Sequence, residues 1–340
     1  MDPLARRKLG RTNIELTQLG FGGAGLGDLF DVVDDADASA TLQAAWDAGI
    51  RYYDTSPWYG RGQSEHRFGR ALYRRPRTDY VLSTKVGRLF QAFHDAESFE
   101  HGFWRGGLKF QHRFDYSYDG VMRSFEDSLQ RLGIPRIDLL LIHDLDFSHH
   151  ATDAKVTAYL TELHNGGFRA LTELRQAGLI SGVGAGINEL GMIPRFLDLM
   201  DLDFFLVALP YTLLDTAVLD SEFPLCIARE VGFVIGAPFA SGILATGAVT
   251  GARYRYADAT PEILAKVKRI EAVCSRHQVS LPAAALQFPL GHPSVASVIP
   301  GALLPEQVVR NLATFRHTIR SDFWAELKHD GLLRPDAPVP

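Results

Sequence analysis

The sequence repeats one structural unit several times along its length. An amphipathic, helix-like segment ends in a glycine, and a short apolar run follows at once. Glycine ends a helix at low cost because it adopts the left-handed conformation freely, so each of these glycines is predicted to join a helix to the next strand. The clearest examples are Gly49, Gly133, Gly178 and Gly232. The repeat therefore predicts alternating helices and strands.

The apolar runs indicate parallel strands that are covered on both faces. Runs such as "DLLLIH" and "DFFLVAL" are apolar without alternation, which is typical of strands buried on both sides. Eight such runs occur, at 19–22, 51–54, 80–85, 138–143, 181–185, 203–208, 232–236 and 295–299. Eight parallel strands with helices between them predict an α/β fold of the (β/α)8 barrel type.

The remaining segments fit around this barrel. Residues 6–17, "RRKLGRTNIELT", predict an N-terminal β-hairpin that closes the bottom of the barrel. No linker rich in Pro, Ser and Gly divides the chain, so residues 1–340 are expected to form a single domain. The long aromatic segment 88–117 follows the third strand on the face where barrel enzymes place their sites, so we expect it to cover a substrate.

Charge and composition narrow the partner to a small molecule. The formal net charge is −5, with Lys and Arg spread along the chain, which indicates neither nucleic acid nor an anionic membrane as a partner. The cysteines, Cys226 and Cys274, suggest neither a disulfide framework nor a metal knuckle. No run approaches the roughly 18 apolar residues of a membrane span. We therefore expect a cytoplasmic protein.

A glycine motif offers a rival fold. Gly20, Gly22 and Gly25 have G-x-G-x-x-G spacing after a strand, and Asp54 ends the next strand, as in a dinucleotide-binding fold. However, the stretch "LGDLFDVVDDADASA" is too acidic and broken to begin a helix that would hold a pyrophosphate. The convincing helix begins only near Asp37. The barrel is favoured, and in it the glycines would let a ligand approach the backbone closely.

Four chemically complementary residues follow or end predicted strands: Asp54, Tyr59, Lys85 and His143. The carboxyl ends of barrel strands converge, so these side chains are predicted to meet in one pocket. An adjacent ammonium lowers the pKa of a phenol, which predicts that Lys85 activates Tyr59. Asp54 would supply the counter-charge of Lys85, and His143 would hydrogen-bond a substrate oxygen or tune the proton transfer.

The motifs "DTSPWYGRGQSE", "LSTKVG", "DLLLIHD" and "VIPGALLPEQVVRNL" resemble those of the aldo-keto reductase family over nearly the whole chain. The resemblance implies a (β/α)8 barrel, a nicotinamide cofactor, and a catalytic group formed by the four residues above. The segments "FDYSYDGVMRSFEDSLQRLG", "IHDLD", "YTLLD" and "DAPVP" are most similar to the branch that contains D-threo-aldose 1-dehydrogenase, L-fucose dehydrogenase and pyridoxal 4-dehydrogenase.

This resemblance implies oxidation of an aldose of the L-fucose or D-threo type at its anomeric carbon to a lactone, with Tyr59 as general acid and base. The alternatives within the same class are a pyridoxal 4-dehydrogenase and a general carbonyl reductase. Trp58 and Trp104 could stack on the pyranose or pyridine ring of the substrate.

The cofactor residues depart from the family pattern. Positions that hold the nicotinamide in many relatives are Gly184, Ala185, Ala208 and Gly236 here. Asn188 is expected to substitute at the carboxamide, and Phe239 or Tyr211 at the ring. The complete set of expected cofactor contacts is Gly22, Gly23, Asp54, Asn188, Phe239, Ser241, Gly242, Gly301, Gln307 and Asn311.

The last of these motifs bears on the choice between NAD and NADP. Relatives that use NADP place a Lys and an Arg near its 2′-phosphate, whereas this chain has Gly301 and Gln307. Loss of two charge-assisted hydrogen bonds predicts that NAD is at least accepted. Arg310 is a neighbouring cation that could still reach the phosphate, and Asn311 matches the residue that contacts adenine.

Three further alternatives differ in class. Lys85 could form a Schiff base in a barrel aldolase. Barrels of this family also serve as cofactor-binding subunits of ion channels, without turnover. His143, Asp144, Asp146, His149 and His150 could be imagined as metal ligands, but "HDLDFSHH" has no recognised ligand spacing, so no metal is expected.

Overall fold

The computed structural model of the protein describes residues 1–340 and contains an eight-stranded parallel sheet. The strands of the chain are β1 (Arg6–Lys8), β2 (Glu15–Thr17), β3 (Phe21–Gly22), β4 (Tyr52–Asp54), β5 (Val81–Val86), β6 (Arg88–Ala92), β7 (Phe110–Phe114), β8 (Leu139–His143), β9 (Gly182–Ile187), β10 (Phe204–Ala208), β11 (Gly232–Gly236), β12 (Arg253–Tyr254), β13 (Ala257–Asp258) and β14 (Val295–Ile299). All eight predicted strands are confirmed.

The sheet is closed into a barrel. Its strand order is β14-β11-β10-β9-β8-β5-β4-β3, so barrel strands that follow one another along the chain lie side by side in the sheet. The two end strands also pair: Gly20 N–H donates to Val298 O (2.9 Å), and Val298 N–H donates to Gln18 O (2.9 Å). The predicted (β/α)8 barrel is therefore confirmed.

Helices surround the barrel and connect its strands. They are α1 (Asp35–Asp47), α2 (Gln63–Leu72), α3 (Tyr118–Leu132), α4 (Phe147–His150), α5 (Asp153–Glu162), α6 (Phe168–Gln176), α7 (Met192–Leu199), α8 (Glu222–Ile227), α9 (Ile243–Thr246), α10 (Pro261–His277), α11 (Leu281–Gln287), α12 (Pro305–Arg316) and α13 (Ser321–His329). None of them has the length and apolar character needed to cross a membrane.

The dinucleotide-binding alternative is wrong. Only a one-turn 3-10 helix, Gly25–Gly27, follows the glycine motif, and α1 begins at Asp35 with Asp34 as its cap. Gly22 is required for packing, because a Cβ there would lie 2.6 Å from Ile299 O on the neighbouring β14. The glycine spacing thus reflects the closure of the barrel.

The N-terminal hairpin closes the bottom of the barrel, as predicted. β1 and β2 pair antiparallel, and the hairpin buries Leu9 and Leu16 completely. These two leucines pack with a set of barrel residues that includes Leu139 and Leu141. Leu139 and Leu141 alternate with His143 along β8 and therefore point to the same side, the barrel interior.

The prediction that a glycine ends the helix is wrong for one of the four glycines, Gly232. Gly49, Gly133 and Gly178 have positive φ angles (+91°, +62° and +71°) after their helices. Gly232 is instead the first residue of β11, and Glu230 takes the left-handed conformation (φ +56°). Gly232 is glycine for another reason, because a Cβ there would lie 2.4 Å from the backbone nitrogen of Gly10.

Two hairpins project from the loops at the carboxyl ends of the strands. The predicted aromatic segment contains the antiparallel pair β6–β7, whose connecting loop carries Trp104 to a bridge with Leu29. The smaller pair β12–β13 follows β11, and its Tyr256 N–H donates to Ser241 Oγ (3.0 Å). Both hairpins lie near the mouth of the barrel, where the candidate site is found.

Candidate active site

Lys85 and Asp54 form a buried ion pair between neighbouring strands. β4 ends at Asp54 and pairs with β5, which contains Lys85. Lys85 Nζ donates to Asp54 Oδ2 (2.8 Å) and to Thr55 O (2.8 Å), and both residues are 1% exposed. Ser83 Oγ donates to the other carboxylate oxygen, Asp54 Oδ1 (2.7 Å). The desolvated charges are therefore compensated on both sides.

Tyr59 lies beside this pair and beside His143. It begins the 3-10 helix Tyr59–Gly62 after β4 and is partly exposed. Lys85 Nζ is 4.6 Å from the centroid of the Tyr59 ring, and the rings of Tyr59 and His143 are 5.8 Å apart at 84°. The structure thus brings the four predicted residues, from three strands, into one cluster.

The prediction that the phenol of Tyr59 has a lowered pKa is wrong. Its pKa is raised well above the usual value, because burial and the negative charges of Asp54 and Asp144 disfavour the phenolate. The ammonium of Lys85 is directed at Asp54 and Thr55 O, which compensate its charge. Tyr59 is therefore a protonated phenol at neutral pH.

His143 ends β8 and is held by several polar groups. Its Nδ1 lies 2.9 Å from Ser56 Oγ and 3.3 Å from Arg88 Nη1, and its Nε2 lies 3.4 Å from Asp144 Oδ1. Burial lowers the pKa of His143 well below its usual value, and Arg88 and Lys85 act in the same direction, against Asp144. The imidazole is therefore neutral at neutral pH.

Arg88 and Asp144 form a second buried pair, which the sequence analysis did not anticipate. Arg88 Nη1 is 2.7 Å from Asp144 Oδ2, and the two residues are 3% and 4% exposed. Burial acts to raise the pKa of Asp144, but His143 and Arg88 outweigh it and lower the pKa. The only sequence signal for Arg88 is its position three residues after Lys85.

Asn188 contacts this second pair. Its Nδ2 donates to Asp144 Oδ1 (3.1 Å) and to Asp146 Oδ2 (3.3 Å), so its amide nitrogen is already engaged. Of the five imagined metal ligands, only Asp144, Asp146 and His149 have ligand atoms within 4.8 Å of one another. Arg88, Asn188 and His149 surround these carboxylates and compensate their charge.

An aromatic wall stands beside Tyr59, and we define it as Trp58, Phe103, Trp104 and His112. Trp104 is 5.8 Å from the Tyr59 ring and packs edge-on against Trp58 at 6.1 Å. Trp104 is 3% exposed, and its indole Nε1 has no hydrogen-bond partner. Burial lowers the pKa of His112 to about 4, so the wall is uncharged at neutral pH.

Several of the expected cofactor residues lie at or just after the carboxyl ends of β3, β11 and β14, and β14 is the neighbour of both other strands. Gly22 and Gly23 use their N–H groups within the barrel, to Pro300 O (3.1 Å) and Asp54 O (2.8 Å). Gly301 is exposed beside them. After β11, Ser241 and Gly242 have left-handed backbones (φ +63° and +106°).

Asn311 lies on α12 and is 8% exposed. Its side chain makes no hydrogen bond within the protein, so its amide is free to contact a ligand. Gln307 is occupied differently, since its Oε1 accepts from Leu303 N–H (2.6 Å) and thereby holds the loop after Gly301. Arg310 is exposed and forms no ion pair.

The suggestion that Tyr211 holds the nicotinamide ring is wrong. Tyr211 is fully buried and packs against Phe223, Phe288 and His292, with centroid distances of 4.9, 5.3 and 6.2 Å. No face of its ring is left for a ligand. Phe239 is partly exposed after β11, and its contact with the nicotinamide stays a prediction.

Comparison with known proteins decides the family. The model of the aldo/keto reductase family matches residues 18–329. The chain belongs to this family. It is 45% identical to pyridoxal 4-dehydrogenase of Microbacterium luteolum, over 96% of this chain and 98% of the relative. It is 36% identical to D-threo-aldose 1-dehydrogenase of a Pseudomonas species, over 94% of this chain and 95% of the relative.

A solved structure supports the same fold. An aldo-keto reductase from Bacillus halodurans in its holo form superposes with a TM-score of 0.75, at 24% identity and over 96% of each chain. As an aldo-keto reductase with relatives named dehydrogenases, the protein is an NAD(P)-dependent oxidoreductase. The aldolase alternative is not favoured, because Lys85 Nζ is engaged by Asp54 and Thr55.

Proposed function

We propose that the protein oxidises a cyclic hemiacetal to a lactone. The two relatives above are named for oxidation of pyridoxal and of D-threo-aldoses. Pyridoxal carries an aldehyde beside a hydroxymethyl group and closes to a cyclic hemiacetal, as an aldose does, so one reaction covers both. We place pyridoxal first because its dehydrogenase is the more similar of the two relatives, and an aldose second.

The cluster of Tyr59, Lys85, Asp54 and His143 carries this proposal. The hydroxyl of the hemiacetal would lie between Tyr59 and His143, whose rings are 5.8 Å apart. Tyr59, as phenolate, accepts the hydroxyl proton while the hydrogen on the same carbon leaves with its electron pair, and the C–O bond becomes the lactone carbonyl. The nicotinamide cofactor, when bound, supplies the hydride acceptor. In the direction of reduction, protonated Tyr59 donates the proton.

The aromatic wall supports a flat ring as the substrate. Trp58 is partly exposed beside Tyr59 and presents apolar surface of the kind that stacks on a pyridine ring or the face of a pyranose. Trp104 packs edge-on against Trp58 and is 3% exposed, which leaves little of its ring for stacking. A carbonyl reductase without ring preference would make no use of this wall.

We also propose that NAD is accepted as cofactor. Gly301 has no charge, and Gln307 is engaged by Leu303, so neither can neutralise a 2′-phosphate. Asn311 would contact the adenine, and the loop from Phe239 to Gly242 would lie near the remainder of the cofactor.

The test follows the nicotinamide absorbance with pyridoxal, L-fucose and D-arabinose, each with NAD and with NADP. We expect oxidation of at least one hemiacetal and identification of a lactone product. Tyr59→Phe should lower kcat by a factor of roughly 10² to 10⁴, the usual share of a general acid or base.

Tyr53→Phe is the matched control for this test. Tyr53 is a buried phenol on β4, the strand that precedes Tyr59, and its hydroxyl donates to Ile50 O (3.0 Å), away from the cluster. Its loss should leave kcat unchanged. Full turnover by the Tyr59→Phe protein, or no oxidation of any hemiacetal, would contradict the proposed function.

A further inference from the structure

Arg88 is a buried cation at the site that has no assigned role. It begins β6, immediately after the strand that carries Lys85, and is 3% exposed. Its guanidinium lies between two aromatic rings, 4.7 Å from the centroid of Trp58 and 4.6 Å from that of Phe114. This packing fixes the position of the guanidinium, which contacts both Asp144 and His143.

The contacts of Arg88 determine where the proton of His143 resides. A guanidinium can only donate hydrogen bonds, and Arg88 Nη1 is 3.3 Å from His143 Nδ1. Ser56 Oγ, 2.9 Å from the same nitrogen, accepts from Trp58 N–H (3.1 Å), and its own proton can point to Nδ1. Because Arg88 can only donate, its contact with Nδ1 requires a lone pair there, so the neutral ring carries its proton on Nε2.

We propose that Arg88 is a positioning residue: by donating to His143 Nδ1, it holds the ring proton on Nε2, the nitrogen that would donate a hydrogen bond to a substrate oxygen. The inference rests on the proposed function only for the identity of that oxygen. The tautomer itself can be measured without turnover.

The charges around His143 explain why a cation is needed. The groups that face the ring are Arg88, Asp144, Lys85 and His149, besides the phenol of Tyr59. Asp144 alone would favour an imidazolium, but Arg88 lies 2.7 Å from that carboxylate and compensates it. Without Arg88, Asp144 would be left unpaired beside His143, and the pKa of His143 should rise.

The experiment compares the full-length protein with Arg88→Met. Nitrogen NMR of protein labelled with ¹⁵N in the histidine rings reports the tautomer, and the His143→Gln spectrum assigns the signal. We expect the wild type to show a neutral ring with the proton on Nε2. In Arg88→Met, His143 should titrate at higher pH, and the acidic limb of kcat/KM should move up by about one to two pH units.

The rate should change as well. The Arg88→Met protein should lose roughly ten- to a hundredfold in kcat/KM at neutral pH. This is the size of the hydrogen bond from His143 Nε2 to the substrate oxygen, which is no longer held in place. Arg88→Lys keeps the positive charge and should keep the acidic limb near its wild-type position. Arg88→Met with Asp144→Asn removes both charges and should return the limb toward wild type.

Arg77→Met provides a matched control, because Arg77 belongs to a partly buried ion pair at the other end of β8, the strand that His143 ends. Arg77 pairs with Asp138, a 3% exposed carboxylate that immediately precedes β8, whereas His143 ends β8. This variant should lose thermal stability without moving the His143 nitrogen signals or the pH profile. A merely structural role of Arg88 would give the same pattern as Arg77.

Unchanged nitrogen shifts and an unchanged pH profile in Arg88→Met would overturn the inference, whatever the thermal midpoint of that variant. If Arg88→Met does not fold, the double variant with Asp144→Asn tests the same point, because no buried charge is left unpaired. Should the nitrogen shifts move while Tyr59→Phe keeps full turnover, the inference on Arg88 stands and the proposed function fails.

Discussion

The phenol of Tyr59 is protonated at neutral pH, and this sets the pH dependence of each reaction direction. Burial and the charges of Asp54 and Asp144 raise its pKa, so the phenolate that oxidation requires is a minor species that grows with pH. The logarithm of kcat/KM for oxidation should therefore rise by about one per pH unit through the neutral range. Reduction uses the phenol and should stay flat until high pH.

Initial rates in both directions between mildly acidic and alkaline pH check this prediction. Tyr59→Phe should lose the slope in oxidation, while Tyr53→Phe should keep it. An oxidation rate that is independent of pH across this range would contradict it, because the phenolate would then already be the major form.

The buried pair of Lys85 and Asp54 predicts a specific pattern of stability. Lys85→Met leaves the carboxylate of Asp54, 1% exposed, with Ser83 as its remaining side-chain donor. Breaking one partner of a buried pair costs about 3–5 kcal/mol in the free energy of unfolding. Adding Asp54→Asn removes the orphaned charge and should recover part of this loss.

Urea unfolding of the single and double variants measures the loss of stability in Lys85→Met and its partial recovery when Asp54→Asn is added. Lys155→Met, at an exposed position on α5, is the control for loss of a lysine and should change stability little. If the double variant is no more stable than Lys85→Met alone, then the charge of Asp54 is compensated by other groups.

At this scale, residue type and strand position carry much of the prediction. Asp54, Lys85 and His143 were found because each lies at the end of a strand, and Tyr59 because it follows one. Arg88 was missed because its partner Asp144 is 56 residues away in sequence and meets it only after β6 folds back. The direction of the Tyr59 pKa was wrong because it depends on where an ammonium points.

Among the elements, the N-terminal hairpin should affect the stability of the protein but not its enzymatic rate constants. Gly10 has a φ of +49°, and a Cβ there would lie 2.5 Å from Gly232 N and 2.7 Å from Asp203 O. Gly10→Ala should therefore cost more than the roughly 1–2 kcal/mol of a left-handed alanine, since neighbouring backbone must also shift. The kinetic constants should not change, because the hairpin lies opposite the mouth.

Gly178→Ala measures the cost of a left-handed alanine alone, without a steric clash of its Cβ. Gly178 has a φ of +71° after α6, and no atom lies within 4 Å of a Cβ built there. Thermal or urea unfolding should place Gly10→Ala clearly below Gly178→Ala in stability. Equal losses would show that the contact of the hairpin with β10 and β11 contributes nothing beyond the turn itself.

The predictability of each element follows its burial. The eight barrel strands are buried and apolar, so their pattern is visible in the sequence. The strands of the mouth hairpins are short and largely exposed, and β12–β13 turns through Arg255 and Tyr256, non-glycine residues with φ of +51° and +64°. No apolar period or glycine marks such a turn, so these hairpins could not be predicted.

For the molecule as a whole, closure of the barrel gathers the site. β3 and β14 are separated by most of the chain, yet they pair, and this places Gly301 and Gly22 side by side. The loop after β11, with Phe239 and Ser241, joins them because β11 pairs with β14. The region where we expect the cofactor is thus a product of the whole fold, and we propose that residues 1–340 form one domain.

A chain of this kind should unfold in one cooperative transition that the cofactor shifts. A ligand that binds only the folded state stabilises it by about 2.7 kcal/mol at a hundred times its dissociation constant. We expect NAD to raise the unfolding temperature, and Asn311→Ala to reduce this shift because the buried amide is lost.

Arg310→Ala should leave the NAD shift intact and reduce that of NADP, since Arg310 is the free cation beside Asn311 on α12. Calorimetry with each cofactor measures all three effects, with Lys155→Ala as a distant control. Two separate transitions would contradict the single domain, and stabilisation by NADP far above that by NAD would contradict the cofactor proposal.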